Sequence, residues 1–95
     1  MVGIDDIRTA LASIAPRYGV RRVYLFGSYV RADQGDSSDV DLLVELGRPL
    51  GFKRAAMHDE VESALGLPVD MVFGESQLYG PIREGYVRDR VAVYG

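Results

Sequence analysis

The 95-residue chain carries 11 basic and 14 acidic residues for a net charge of −3, has no cysteine, and is 47% hydrophobic and 26% charged. Such a length suits one domain rather than two, and such a composition suits a folded protein. The charge leaves no broad basic face for long nucleic acid, the missing thiols exclude disulfides and thiolate metal sites, and no apolar run nears the roughly 20 residues that span a bilayer. The N-terminus, Met1 to Asp6, lacks the basic-then-apolar order of a secretory signal, so a cytoplasmic protein is expected.

Ile4, Ile7, Leu11, Ile14 and Tyr18 recur at the spacing of one helical face, with Asp5 and Asp6 favouring the helix N-terminus. Pro16 disfavours helix at Ala15, so a break or kink is expected there, followed by a turn at Gly19. Val23 to Phe26 is short, β-prone and almost wholly apolar, as suits a strand covered on both faces, and it runs into Gly27-Ser28. Tyr29 to Asp33 is compatible with a short helix, Gln34 to Ser38 reads as a loop, and Asp39 to Leu46 as a second strand. Strand alternation puts Asp39 and Asp41 on one face and Val40, Leu42, Val44 and Leu46 on the other, so one face is expected to be chemical and the other to pack. Beyond the Gly47 to Gly51 turn, Phe52 to Leu65 carries Met57, Val61, Ala64 and Leu65 on a helical stripe closed by Gly66. Val69 to Phe73 is a third strand, and the tail adds a helix from Pro81 and a last strand from Arg90 to Tyr94. The fold class is therefore α/β (α+β): a mixed sheet of about four strands flanked by helices, in one domain over residues 1–95.

Three aspartates interrupt these apolar strands, where a carboxylate has low propensity and needs a partner if buried. Asp39 and Asp41 lie two residues apart on one strand face, so their carboxylates can converge. At about 5 Å and an effective dielectric of 20, two such charges repel by roughly 3 kcal/mol, a conflict that a divalent cation removes. Oxygen ligands without histidine or cysteine suit a hard ion, and magnesium binds one or two carboxylates, keeps waters and completes its shell with substrate phosphates. Gly27 between strand and helix lets backbone amides approach an anion, Ser28 adds a hydroxyl, and Arg31, one helical turn on, can pair with a phosphate oxygen.

At these residues the chain resembles the minimal nucleotidyltransferases of the DNA polymerase beta superfamily. Their hallmark is matched by Gly27-Ser28, ten residues, then Asp39-x-Asp41, with Arg31 and Ser38 in family-like places and Pro68-Val69-Asp70 similar to the third-carboxylate strand. The resemblance implies two magnesium ions held by Asp39, Asp41 and Asp70, ATP as substrate, phosphate contacts from Gly27, Ser28, Arg31 and Ser38, and transfer of AMP to a hydroxyl with Asp70 as base or metal ligand. Ala32 departs from the pattern, since many relatives have glycine after the arginine. Members of this class resemble antitoxins paired with a HEPN-domain ribonuclease toxin, some of which adenylylate a tyrosine of that toxin. The resemblance therefore implies a protein adenylyltransferase antitoxin with such a partner. Alternative readings are a non-catalytic antitoxin that masks its toxin by binding, and a homodimer that modifies a small molecule such as an aminoglycoside, with Glu45 and Glu60 attracting the cation.

Other residues have simpler readings. His58 is a lone imidazole and reads as a surface residue, not a metal ligand. Tyr18 and Tyr24 follow core patterns and Tyr94 ends a strand, while Tyr29, next to Ser28, can line the nucleotide pocket. Arg83, Arg88 and Arg90 form a loose basic cluster that pairs with a partner or solubilises a helix.

Overall fold

The computed structural model describes residues 2–27, 40–74, 76 and 78–95. Helix α1 spans Ile4–Ile14, started by Gly3, whose backbone N–H donates to Asp6 Oδ2 at 2.8 Å, and buries Ile7, Leu11 and Ile14. It stops where Pro16 disfavours it: Ala15–Tyr18 forms a single 3₁₀ turn that ends at Gly19 with φ 68°. Strand β1 follows over Val20–Phe26, three residues longer at its start than Val23 because the exposed Arg21 and Arg22 extend with it. Strand β2 covers Val40–Leu46 and helix α2 covers Lys53–Leu65, ended by Gly66 with φ 71°. Strand β3 is Val69–Phe73, helix α3 is Gly80–Asp89, and strand β4 is Val91–Tyr94. The expected short helix and loop over 29–38, and Asp39 with them, lie outside the described residues.

The four strands form one mixed sheet in the order β3-β2-β1-β4, with β1 antiparallel to β2 and β4, and β2 parallel to β3. Helices α1 and α2 cover one face, where Ile7, Leu11, Val23, Leu25, Val40, Leu42, Val44, Met57 and Val61 pack together. Ala64 is exposed, a correction to the expected stripe: Met57, Val61 and Leu65 at i, i+4 and i+8 already fill the width that the sheet accepts.

The opposite face carries a second cluster, and this corrects the division into a chemical and a packing face. Leu43 and Phe26 are buried there against Leu78 and Tyr86, with Tyr24 and Val72 at the margin. Helix α3 supplies Tyr86, whose ring meets those of Phe26 and Tyr24 edge-on at centroid distances of 5.3 and 6.1 Å. β1 and β2 are thus covered on both faces, and Asp41 sits on the same face as an apolar cluster rather than on a wholly polar one.

A clasp joins the 3₁₀ turn to α2: Tyr18 Oη donates to Glu60 at 2.6 Å and Arg17 Nη1 to its other oxygen at 2.9 Å. The Tyr18 hydrogen bond, then the Arg17 guanidinium, hold the Glu60 carboxyl below its ordinary value. A carboxyl lowered on folding contributes stability above its unfolded value, about 4.3, that is lost as pH falls through the folded one. Melting temperatures of the parent and Glu60→Gln should therefore differ at neutral pH and converge below about pH 4. A gap that persists unchanged into acid would show that the carboxylate charge contributes nothing.

Candidate active site

The backbone pairing builds the site from three neighbouring strands. Asp41 of β2 faces Phe26 of β1 on one side and Asp70 of β3 on the other, so the three residues form one row across the sheet. Directly paired residues point to the same face, and neighbouring strands lie about 4.8 Å apart, so Asp41 and Asp70 are side by side. The next row, Tyr24, Leu43 and Val72, belongs to the second apolar cluster, which fixes the direction in which the carboxylates point. Asp41 is half-buried, whereas Asp70, on the edge strand, is exposed.

Gly27 follows Phe26 with φ 83°, in the left-handed region that favours glycine. A Cβ placed on it would overlap Asp41 Oδ2, so this backbone approaches the carboxylate more closely than any other residue type allows. Gly27→Ala should cost about 1–3 kcal/mol through the strained φ and the overlap, readable as a lowered urea midpoint. An alanine variant as stable as the parent would refute this tight approach.

A cleft of about 400 Å³ opens over this end of the sheet, walled by Phe26, Gly27, Asp41 and, from α3, Pro81, Ile82 and Arg88. Arg88 donates to the Asp89 carboxylate at 3.0 Å. The α3 wall escaped the reading of the sequence, although Ile82, Tyr86 and Arg90 at i, i+4 spacing marked one helical face. Arg90 packs over the rings of Tyr24 and Tyr86, at 5.0 and 5.4 Å, so this member of the basic cluster serves the fold.

Of the seven site residues expected from sequence, the structure sets Gly27 and Asp41 together in the cleft and pairs Asp70 with Asp41 on the neighbouring strand, outside the cleft lining. Ser28, Arg31, Ser38 and Asp39, like Tyr29, lie outside the described residues. The donors in the described part are the carboxylate oxygens of Asp41 and Asp70 beside the partly buried Gly27 backbone, a set that fits a hard divalent cation with a phosphate ligand. A second group of metal-capable atoms, from His58, Asp59 and Glu62, lies within 4.8 Å of one another on α2. Two of these are already engaged: His58 Nε2 bonds the Val69 carbonyl and Glu62 Oε2 accepts the Val69 N–H at 2.9 Å. His58 keeps 37% of its side chain exposed, as its isolation suggested, and is in addition tied to β3.

The protein adenylyltransferase MntA of Thermococcus cleftensis is 35% identical over 98 residues, covering 98% of each chain. A solved structure assigned as a minimal nucleotidyltransferase superposes with a TM-score of 0.73 at 34% identity, covering 95% of both chains. A chain from a crystal structure of a toxin–antitoxin with AMP-PNP gives a TM-score of 0.74 at 25% identity, covering 99% of this chain and 74% of that one. The nucleotidyltransferase domain profile matches residues 4–95, which contain the whole sheet and its paired aspartates, and the chain belongs to that family.

Proposed function

We propose that residues 1–95 act as one minimal nucleotidyltransferase domain that moves AMP from ATP to a hydroxyl, a tyrosine of a HEPN-type ribonuclease toxin, and so serves as the toxin's cytoplasmic antitoxin. The observation that carries this reading is the row Phe26–Asp41–Asp70 with Gly27 bare against the Asp41 carboxylate. A relative that is a protein adenylyltransferase, and a similar chain from a toxin–antitoxin with AMP-PNP, support the choice of nucleotide and the kind of partner. No helix among the described residues is long and apolar enough to cross a membrane, in keeping with a cytoplasmic setting.

In this reading Asp39, Asp41 and Asp70 hold two magnesium ions, which when bound supply positive charge to the phosphate oxygens. Gly27, Ser28, Arg31 and Ser38 bind the triphosphate, through backbone, hydroxyls and guanidinium. The acceptor oxygen forms a bond to the α-phosphorus while the bond from that phosphorus to the α,β-bridging oxygen breaks. Pyrophosphate leaves with that bonding pair, and the acceptor proton passes to the Asp70 carboxylate. The small wall that α3 adds leaves the acceptor to be presented by the partner.

Intact-mass spectrometry of the copurified partner, before and after magnesium and ATP, tests the reading. One or more added adenylyl units, absent with an Asp39→Asn, Asp41→Asn double variant, is the expected result. A partner that stays bound and inhibited without a mass change would favour an antitoxin that only masks its toxin.

A further inference from the structure

β3 is an edge strand, and an edge strand of five residues is where a sheet frays or slips. A slip of one residue would be costly here, because it would carry Asp70 from the site face to the packed face. The inner side of β3 is fixed by β2: the Val40 N–H donates to the Pro68 carbonyl at 3.3 Å, and the parallel pairing runs from Val40↔Val69 to Val44↔Phe73. In such a ladder the backbone groups of Pro68 and Asp70 face β2, and those of Val69 face outward.

There is no fifth strand beyond β3 among the described residues, yet the outward groups of Val69 are both satisfied, by side chains of α2. Glu62 Oε2 accepts its N–H and His58 bonds its carbonyl, with His58 Nε2 and Glu62 Oε2 3.4 Å apart. His58 and Glu62 stand at i and i+4 on one face of α2, and Arg54, a further turn back, packs over the Phe73 ring at 4.9 Å. The helix thus holds both ends of the edge strand, and its polar pair grips the residue immediately before Asp70.

We propose that His58 and Glu62 are positioning residues that take the place of a neighbouring strand at Val69 and so lock Asp70 in register with Asp41. The clamp rests on the proposed role of Asp70 for its effect on transfer, but not for its effect on the strand. Both ends of the clamp are specific in polarity: an acceptor is required opposite the N–H and a donor opposite the carbonyl.

The test measures amide hydrogen exchange at Asp70 together with kcat and KM for ATP in transfer to the partner, in the full chain. His58→Ala and Glu62→Ala should each speed Asp70 exchange by up to about tenfold, the effect of losing one hydrogen bond of ordinary net strength. Each should lower kcat roughly ten- to a hundredfold through misplacement of the carboxylate, with KM held within about twofold. His58→Gln and Glu62→Gln, which keep a donor and an acceptor, should restore both readouts, and Glu60→Gln, which loosens α2 at its other clasp, should move neither. Alanine variants with parental exchange at Asp70 would overturn the clamp, and faster exchange with parental kcat, beside an inactive Asp70→Asn, would overturn its positioning role. Parental transfer by Asp70→Asn is a different result that removes the role of Asp70 in transfer, and the nucleotidyltransferase reading fails separately, on a parent chain that transfers no AMP to the partner.

Discussion

Asp41→Asn is expected to lower AMP transfer by about a thousandfold or more while the protein stays folded. Asp41 lies in the middle of the site row, between Phe26 and Asp70, with Gly27 held against its carboxylate. Electrostatic stabilisation by a bound cation supplies several kcal/mol to a phosphoryl-type transition state, and each 1.36 kcal/mol is a factor of ten in rate. Asparagine keeps the shape and an oxygen but removes the charge that, in the proposed function, holds the cation. The fold should survive because the substitution also removes a like charge beside Asp70, and the surrounding Phe26, Leu43 and Tyr86 packing is untouched. Single-turnover transfer assays, paired with thermal melts, check both halves. A variant that is folded and retains even a tenth of the parental rate would mean that Asp41 does not carry the chemistry.

Tyr86→Ala is expected to be the most destabilising single change in the described structure. The side chain is fully buried, closes the second apolar cluster, and meets Phe26 and Tyr24 edge-on. Truncating a buried aromatic ring costs about 3–5 kcal/mol, against a total stability of about 5–15 kcal/mol for a domain. In a chain of this size each kcal/mol shifts the midpoint by roughly 4–8 °C, so a fall of at least about 12 °C is expected in a melt. Tyr86→Phe, which keeps the ring packing and loses only the hydroxyl, 3.4 Å from Arg90 Nη1, should cost clearly less than the alanine variant. Because Tyr86 supports the α3 wall next to Asp41, the alanine variant should also lose transfer at temperatures where it remains folded. Equal stability of the two variants would contradict the packing account.

These two residues also mark what was legible in the chain and what was not. Asp41 was readable because a carboxylate in an apolar strand breaks a strong local pattern, and its partner Asp70 broke the same pattern in β3. The helix stops at Ile14 and Leu65 were readable too, since Pro16, Gly19 and Gly66 act through their own backbone geometry. Tyr86 was not, because nothing local shows that α3 returns over the site face. The pairing of Phe26, Asp41 and Asp70 in one row is a property of three strands far apart in sequence. Alternation of β2 likewise concealed Leu43, which shares the face of Asp41 but has α3 over it. The grip of His58 on β3 was hidden for a related reason: a lone imidazole gives no sign of the edge strand that it bonds.

The central claim is that a nucleoside monophosphate, not a phosphoryl group, passes to a protein hydroxyl at this row of carboxylates. ATP labelled on the α-phosphate, compared with ATP labelled on the γ-phosphate, tests it most directly in the complex with the partner and magnesium. Label from the α-position should appear on the partner, in proportion to pyrophosphate released, and vanish with Asp41→Asn. Label from the γ-position on the partner, or α-label undiminished by Asp41→Asn, would contradict the account.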